Sequence, residues 1–147
     1  IFLILLVKLS SRGPIFFLQK RIGKNQKPYI IAEMSANHNG KIENAYRIIA
    51  EAKKMGADAV KLQTYTADTL TLNVDLPDFK IDSGLWSGLT LYKLYEQAYT
   101  PWDWHELLFE YAREQSITIF STPFDTTAVD LLEDLNAPAY KIASFEA

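Results

Sequence analysis

The sequence predicts an α/β protein, the N-terminal half of a (β/α)8 TIM barrel, on three observations. Apolar runs that read as strands alternate with segments of helical period, the order that favours parallel strands joined by right-handed crossovers. Each strand-like run breaks into polar residues at its C-terminal end, where barrel enzymes carry their chemistry. Two of those runs also contain a lysine, Lys61 and Lys141, inside otherwise apolar surroundings.

The chain opens with seven apolar residues and carries Lys8, Arg12, Lys20, Arg21, Lys24 and Lys27, with no acid, within its first 28 positions. Beyond that point nine basic residues face eighteen acidic ones. Spanning a bilayer takes roughly 20 apolar residues, so the opening run is too short, although it could be the tail of a longer span. No basic region precedes it and no small-residue cleavage site follows it, which argues against a secretory signal. Residues 1–27 therefore read as a basic apolar leader suited to an anionic membrane surface, and residues 28–147 as the partial barrel domain. The missing initial methionine suggests a truncated start.

The first barrel strand lies in the run over 29–40, whose apolar residues break into Glu33, Asn37, His38 and Asn39, with Gly40 ending its polar loop. Residues 42–55 place Ile42, Ala45, Ile49, Ala52 and Met55 at helical spacing, with Gly56 where a C-terminal cap belongs. Residues 59–64 form the next strand, with Lys61 and Gln63 two apart and so on one face. A long connection over 64–100 follows; its aromatic residues suit either a sugar pocket or a short helix over 89–98 packing Leu91, Leu94 and Tyr95 on the rim. A helix over 102–115 is expected to have Thr100 as N-cap, Pro101 at its first position, and Leu107, Leu108, Tyr111 and Ala112 facing inward. A strand over 118–125 ends on hydroxyls. Asp125 then caps a helix over 126–135 with Ala128, Leu131, Leu132 and Leu135 as its apolar stripe. A fourth strand over 139–146 carries Lys141, Ser144 and Glu146. A complete barrel takes about 250 residues, so a truncation after the fourth strand is expected. A doubly wound sheet is the alternative, but Asn37-His38-Asn39-Gly40 is not a glycine-rich nucleotide turn.

Composition bounds the chemistry. At 48% hydrophobic and 22% charged, the chain is an ordinary globular protein. With no cysteine, disulfides, thiolate catalysis and Cys-ligated zinc are excluded, so any metal would need O and N ligands. The acidic balance beyond residue 28 opposes nucleic acid as a partner. A lysine is rarely buried without a partner, so Lys61 and Lys141 call for an anion between them, a phosphate or a carboxylate. Lys61 could alternatively form a structural ion pair with Glu33. His38 reads as a hydrogen-bonding loop residue rather than a metal ligand, and His105 as structural.

Two resemblances add to this. Gly13-Pro14-Ile15-Phe16-Phe17 followed by Gln19-Lys20-Arg21-Ile22-Gly23 resembles part of the bacterial sugar transferases that start glycan assembly on a polyprenyl phosphate. That family's downstream acidic catalytic residues are missing, so no phosphosugar transfer is assigned to residues 8–28. The runs Ile31-Ala32-Glu33-Met34-Ser35-Ala36-Asn37-His38-Asn39-Gly40, Gly56-Ala57-Asp58-Ala59-Val60-Lys61-Leu62-Gln63-Thr64, Phe120-Ser121-Thr122-Pro123-Phe124-Asp125 and Tyr140-Lys141-Ile142-Ala143-Ser144 resemble the N-terminal half of the sialic acid synthases over about 120 residues. Gly84-Leu85-Trp86-Ser87-Gly88-Leu89-Thr90-Leu91-Tyr92 and Tyr99-Thr100-Pro101-Trp102-Asp103-Trp104-His105 are most similar to the pseudaminic acid synthases within that family.

This second resemblance implies a cytoplasmic transferase that condenses phosphoenolpyruvate with an acetamido sugar, a 2,4-diacetamido-2,4,6-trideoxy hexose or N-acetylmannosamine, to give a nine-carbon sialic-acid-like sugar and phosphate. It implies Glu33 and Glu146 as catalytic carboxylates, Lys61, Gln63, Thr122, Lys141 and Ser144 as the phosphoenolpyruvate cradle, and Asn37 against the sugar. It implies a divalent cation, Mn2+ or Mg2+, held by histidines on later strands, with no metal ligand in this stretch. It implies a homodimer in which a C-terminal antifreeze-like domain reaches the partner's site. The 147 residues alone are expected to be inactive. The competing readings are a Schiff-base aldolase using Lys61 or Lys141, and a truncated or chimeric remnant without activity.

Overall fold

Three parallel strands set the frame: β3 (Ile31–Glu33), β4 (Ala59–Thr64) and β5 (Thr118–Pro123), hydrogen-bonded in that order. The structure, a computed structural model, describes residues 15–17, 20–23 and 25–143. Before the sheet lies an antiparallel hairpin, β1 (Ile15–Phe17) and β2 (Lys20–Ile22). Helices α1 (Ile42–Lys54), α2 (Ala67–Leu70), α3 (Leu91–Ala98), α4 (Trp102–Glu114) and α5 (Thr126–Asp134) complete the order, with a single 3-10 turn at Pro77–Phe79. The α/β alternation expected from the sequence is thus observed. The fourth strand is, among the described residues, one parallel bridge from Ser121 to Tyr140, extended by the Lys141 N–H donating to Ser121 O at 3.0 Å.

Strand alternation divides the side chains between two layers. Ala32, Met34, Val60, Leu62 and Ile119 pack outward against Ala45, Ile49 and Ala52 of α1, Leu108, Phe109 and Ala112 of α4, and Leu132 of α5. On the inner face Tyr29, Ile31, Ala59 and Phe120 form a second cluster, joined by Ile22 of the hairpin and by Ala139. The hairpin is fastened at the N-terminal end of the sheet. Lys20 pairs with Asp58, whose second oxygen accepts from the Ile30 N–H at 2.8 Å. Part of the segment expected to be a leader is therefore packed on the barrel; residues 1–14 lie outside the described residues.

Three local expectations are corrected. Helix α4 buries His105, Leu108, Phe109 and Ala112, an i, i+3, i+4, i+7 stripe, whereas Leu107 is 45% exposed. Apolar residues at 107, 108, 109 and 111 leave the phase open, and the polar residue on the buried face hid it. The N-cap of α4 is Pro101, not Thr100, because the Thr100 hydroxyl is buried against His38 instead. Met55 is 70% exposed, since α1 ends at Lys54 and Gly56 turns the chain away at φ +84°, a conformation natural to glycine.

Asp125 does cap α5, accepting from the Ala128 N–H at 2.6 Å and the Thr127 hydroxyl at 2.8 Å. Asp125→Ala is expected to lower stability by about 1 kcal/mol, the usual value of such a cap. A urea midpoint unchanged in the variant would remove the cap's importance. Among the described residues no helix is long and apolar enough to cross a membrane.

Candidate active site

The inner face changes character toward the C-terminal ends of the strands. Below lie Ile31, Ala59 and Phe120; one step further along each strand, alternation puts Glu33, Lys61, Gln63 and Thr122 on the same face. Register brings them together, with Glu33 opposite Lys61 and Gln63 opposite Thr122. Lys61 Nζ lies 2.6 Å from Glu33 Oε2, with side chains only 12% and 20% exposed. The same Nζ is 3.4 Å from Thr122 Oγ1.

Ser35, to which the sequence reading assigned no role, completes the cluster. Its N–H donates to Glu33 Oε1 and its hydroxyl to Gln63 Oε1, both at 3.2 Å. It reaches both because its φ is +44°, which folds the chain back over the strand end. A seryl residue two after a strand-end carboxylate was the available signal, but the backbone reversal that makes it count is not visible in residue types.

A desolvated ammonium is held here by one carboxylate and one hydroxyl, with an amide and a second hydroxyl alongside. The lysine's charge is balanced by Glu33, and the hydroxyls and amide around it add neutral hydrogen-bonding groups on the same face. The other expected residues are placed differently. Asn37 is exposed, its side-chain amide donating to Met34 O at 2.8 Å. Lys141 sits on the bridge beside Ser121. Ser144 and Glu146 lie outside the described residues.

Both histidines are fully buried and burial pushes both imidazoles toward the neutral form. His38 Nδ1 accepts from the Gly40 N–H at 3.1 Å, which leaves the proton on Nε2, 3.4 Å from Thr100 Oγ1. Its ring meets Trp104 edge-on at 5.5 Å. His38 is thus a hydrogen-bonding loop residue. His105 is internal as well. Among the described residues no three His, Cys, Asp or Glu side chains group as a metal site.

Long connections shape the rim. Tyr65 is buried between Tyr95 of α3 and Phe124, in edge contacts of 5.9 and 5.6 Å, and burial raises its hydroxyl to about 12. The helix expected over 89–98 is α3, capped by the Thr90 hydroxyl accepting from Lys93 N at 3.3 Å. A cleft of about 410 Å3 lies at the opposite end of the sheet, lined by Lys20, Arg21, Lys27 and Asp58 among others. Barrel chemistry belongs to the C-terminal face, so that cleft is not the candidate site.

A family model described as the NeuB family matches residues 48–147. The chain belongs to the NeuB family. This NeuB chain is 54% identical over 123 residues to a pseudaminic acid synthase of Campylobacter jejuni, covering 84% of the chain and 36% of that protein. It is 51% identical over 121 residues to the pseudaminic acid synthase of Helicobacter pylori, covering 82% and 36%. Among solved structures it resembles the N-acetylneuraminic acid (sialic acid) synthetase of Leptospira borgpetersenii in complex with citrate, with a TM-score of 0.72 and 28% identity over 91% of this chain and 42% of that one. The sheet and its helices therefore resemble the N-terminal part of a sialic acid synthase barrel. The chain spans about a third of the length of the curated relatives it matches.

Proposed function

We propose that the enzyme carrying these residues condenses phosphoenolpyruvate with a 2,4-diacetamido-2,4,6-trideoxy hexose, forming pseudaminic acid and phosphate. The observation that supports it best is the cation at the strand ends: Lys61 braced by Glu33 at 2.6 Å, beside Thr122 and Gln63. The names of the Campylobacter and Helicobacter relatives support the choice of product.

In this reading the Lys61 ammonium faces the phosphate or carboxylate of phosphoenolpyruvate, and the Thr122 hydroxyl and Gln63 amide orient it. Carbon 3 of the enol bonds to the aldehyde carbon of the open-chain sugar, whose oxygen takes a proton. Water adds to the cationic carbon 2 and loses a proton. The tetrahedral intermediate then expels phosphate, and the keto group forms. In this reading Glu33, which pairs with Lys61 and accepts from the Ser35 N–H, orients the sugar or takes the proton from water. In the same reading Lys141 and Ser144 extend the cradle, Glu146 is the second catalytic carboxylate, and Asn37 contacts the sugar. The reading places the intact enzyme in the cytoplasm as a homodimer.

The family resemblance implies a divalent cation, but the described residues do not fit one. Both nitrogens of His38 and of His105 are taken up by internal hydrogen bonds, and among the described residues no three His, Cys, Asp or Glu side chains come together. The transferase-like run at 8–28 adds no step.

An imine mechanism is the second reading, because Lys61 is a desolvated amine. The ion pair disfavours it, since imine formation needs the nitrogen lone pair that a protonated partner of Glu33 lacks. The test is phosphate release by the full-length natural enzyme. Release that requires both phosphoenolpyruvate and the diacetamido sugar, with a nine-carbon acid in the mass spectrum, is expected. Release without the sugar, or borohydride trapping of pyruvate on Lys61, would sink the synthase.

A further inference from the structure

Beneath the candidate site, on the opposite face of the same strand ends, three polar side chains are buried together: Thr64 at the end of β4, Ser121 on β5 and His105 in the first turn of α4. Thr64 Oγ1 is 2.9 Å from His105 Nε2 and 2.6 Å from Ser121 Oγ, and His105 Nδ1 is 3.1 Å from Pro101 O. The hydrogens can be assigned by elimination. A carbonyl only accepts, so Nδ1 carries the proton and Nε2 of the neutral ring has the lone pair. The Thr64 hydroxyl therefore donates to Nε2 and must accept from Ser121. Every donor in the chain has one acceptor.

Three buried polar groups are an expensive way to fill a layer whose neighbours include Leu62 and Leu108. Aliphatic residues would pack there without the cost of desolvating two hydroxyls and an imidazole, each worth about 1–3 kcal/mol if left unpaired. What the polar chain adds is direction, because hydrogen bonds define orientation where packing alone tolerates drift. Thr64 follows Gln63 and Ser121 precedes Thr122, so fixing the outward pair fixes the tilt of the inward pair. His38 makes a parallel link from the loop after β3 to Thr100. Residues 100–105 thereby tie together the ends of all three strands.

We propose that His105 is a positioning residue for the anion cradle, acting through Thr64 and Ser121 on Gln63 and Thr122; this rests on the functional reading above. The test uses the full-length enzyme with His105→Phe, His105→Asn, His105→Gln and the near-isosteric Thr64→Val. Asn can restore only the bond to Pro101 O, whereas Gln is long enough to accept from Thr64. In the Phe, Asn and Thr64→Val enzymes the KM for phosphoenolpyruvate is expected to rise about tenfold or more, as misplacement of binding groups by a fraction of an ångström does, with the KM for the sugar little changed. His105→Gln is expected to recover most of the loss. Equal KM values in all variants, or losses in both substrates that follow melting temperature alone, would overturn the proposal. Absence of turnover in the unsubstituted enzyme would count against the functional reading instead. The linkage then stands or falls on the imidazole 15N shifts of the 147-residue chain, where a proton on Nδ1 of His105 is expected and a proton on Nε2 refutes it.

Discussion

Replacing Lys61 by methionine is expected to lower phosphoenolpyruvate-dependent turnover of the full-length enzyme by about a hundredfold to a thousandfold, the scale seen when one preorganised electrostatic donor is removed. Methionine keeps the length and apolar stem of the side chain and deletes only the charge. The change also strands Glu33, which is 20% exposed and braced by the ammonium at 2.6 Å. Its cost in stability should fall at about 1–3 kcal/mol, between the surface and the fully buried cases. Adding Glu33→Gln isolates the effect on stability, since Glu33 itself belongs to the site. The double variant is expected to regain stability, because no uncompensated charge remains, while turnover stays lost. If Lys61→Met retained near-normal turnover, the pair would be structural and the anion cradle would have to be sought elsewhere. Lys61→Arg adds a further distinction: a guanidinium can still bind an oxyanion but cannot form an imine, so residual synthase activity there excludes Lys61 as the imine-forming residue.

How far such a site can be read in residue types depends on how local its causes are. Lysine and glutamine inside an apolar strand are anomalies in one stretch of sequence, and the alternation of a strand puts them on one face without further information. Glu33 and Thr122 follow once the strands are taken as parallel and in order. The hairpin was less legible because strands of three residues, Ile15–Phe17 and Lys20–Ile22, carry no usable period, and their basic side chains suggested a leader. The Thr64–His105–Ser121 chain was not legible at all. Its members are separated by 41 and 57 residues, and each alone is an ordinary strand-end hydroxyl or helix residue. Long-range side-chain pairing is a product of packing, and no short window of sequence contains it. The phase of α4 was misread for a related reason: residue type alone did not place His105 on the buried stripe, which shows only once its bonds to Thr64 and Pro101 O are known.

That phase leads to the largest expected effect on stability. Phe109 is the largest of the fully buried side chains, at the centre of the layer between α1, α4 and the sheet. Phe109→Ala removes a fully buried ring, and such truncations cost about 3–5 kcal/mol. Marginally stable domains hold only about 5–15 kcal/mol, so a large share of the folded population is at stake. Leu107, two positions earlier and 45% exposed, is the internal control. Leu107→Ala should cost no more than about 1 kcal/mol, since half of its side chain is already in water. Urea unfolding of the 147-residue chain carrying either substitution measures the difference directly, with the m-value checking that both report the same transition. Equal losses would mean that α4 is rotated about its axis, away from the orientation that buries Phe109 and leaves Leu107 in water. His105 would then turn away from Thr64, and the linkage from α4 to the anion cradle would go with it.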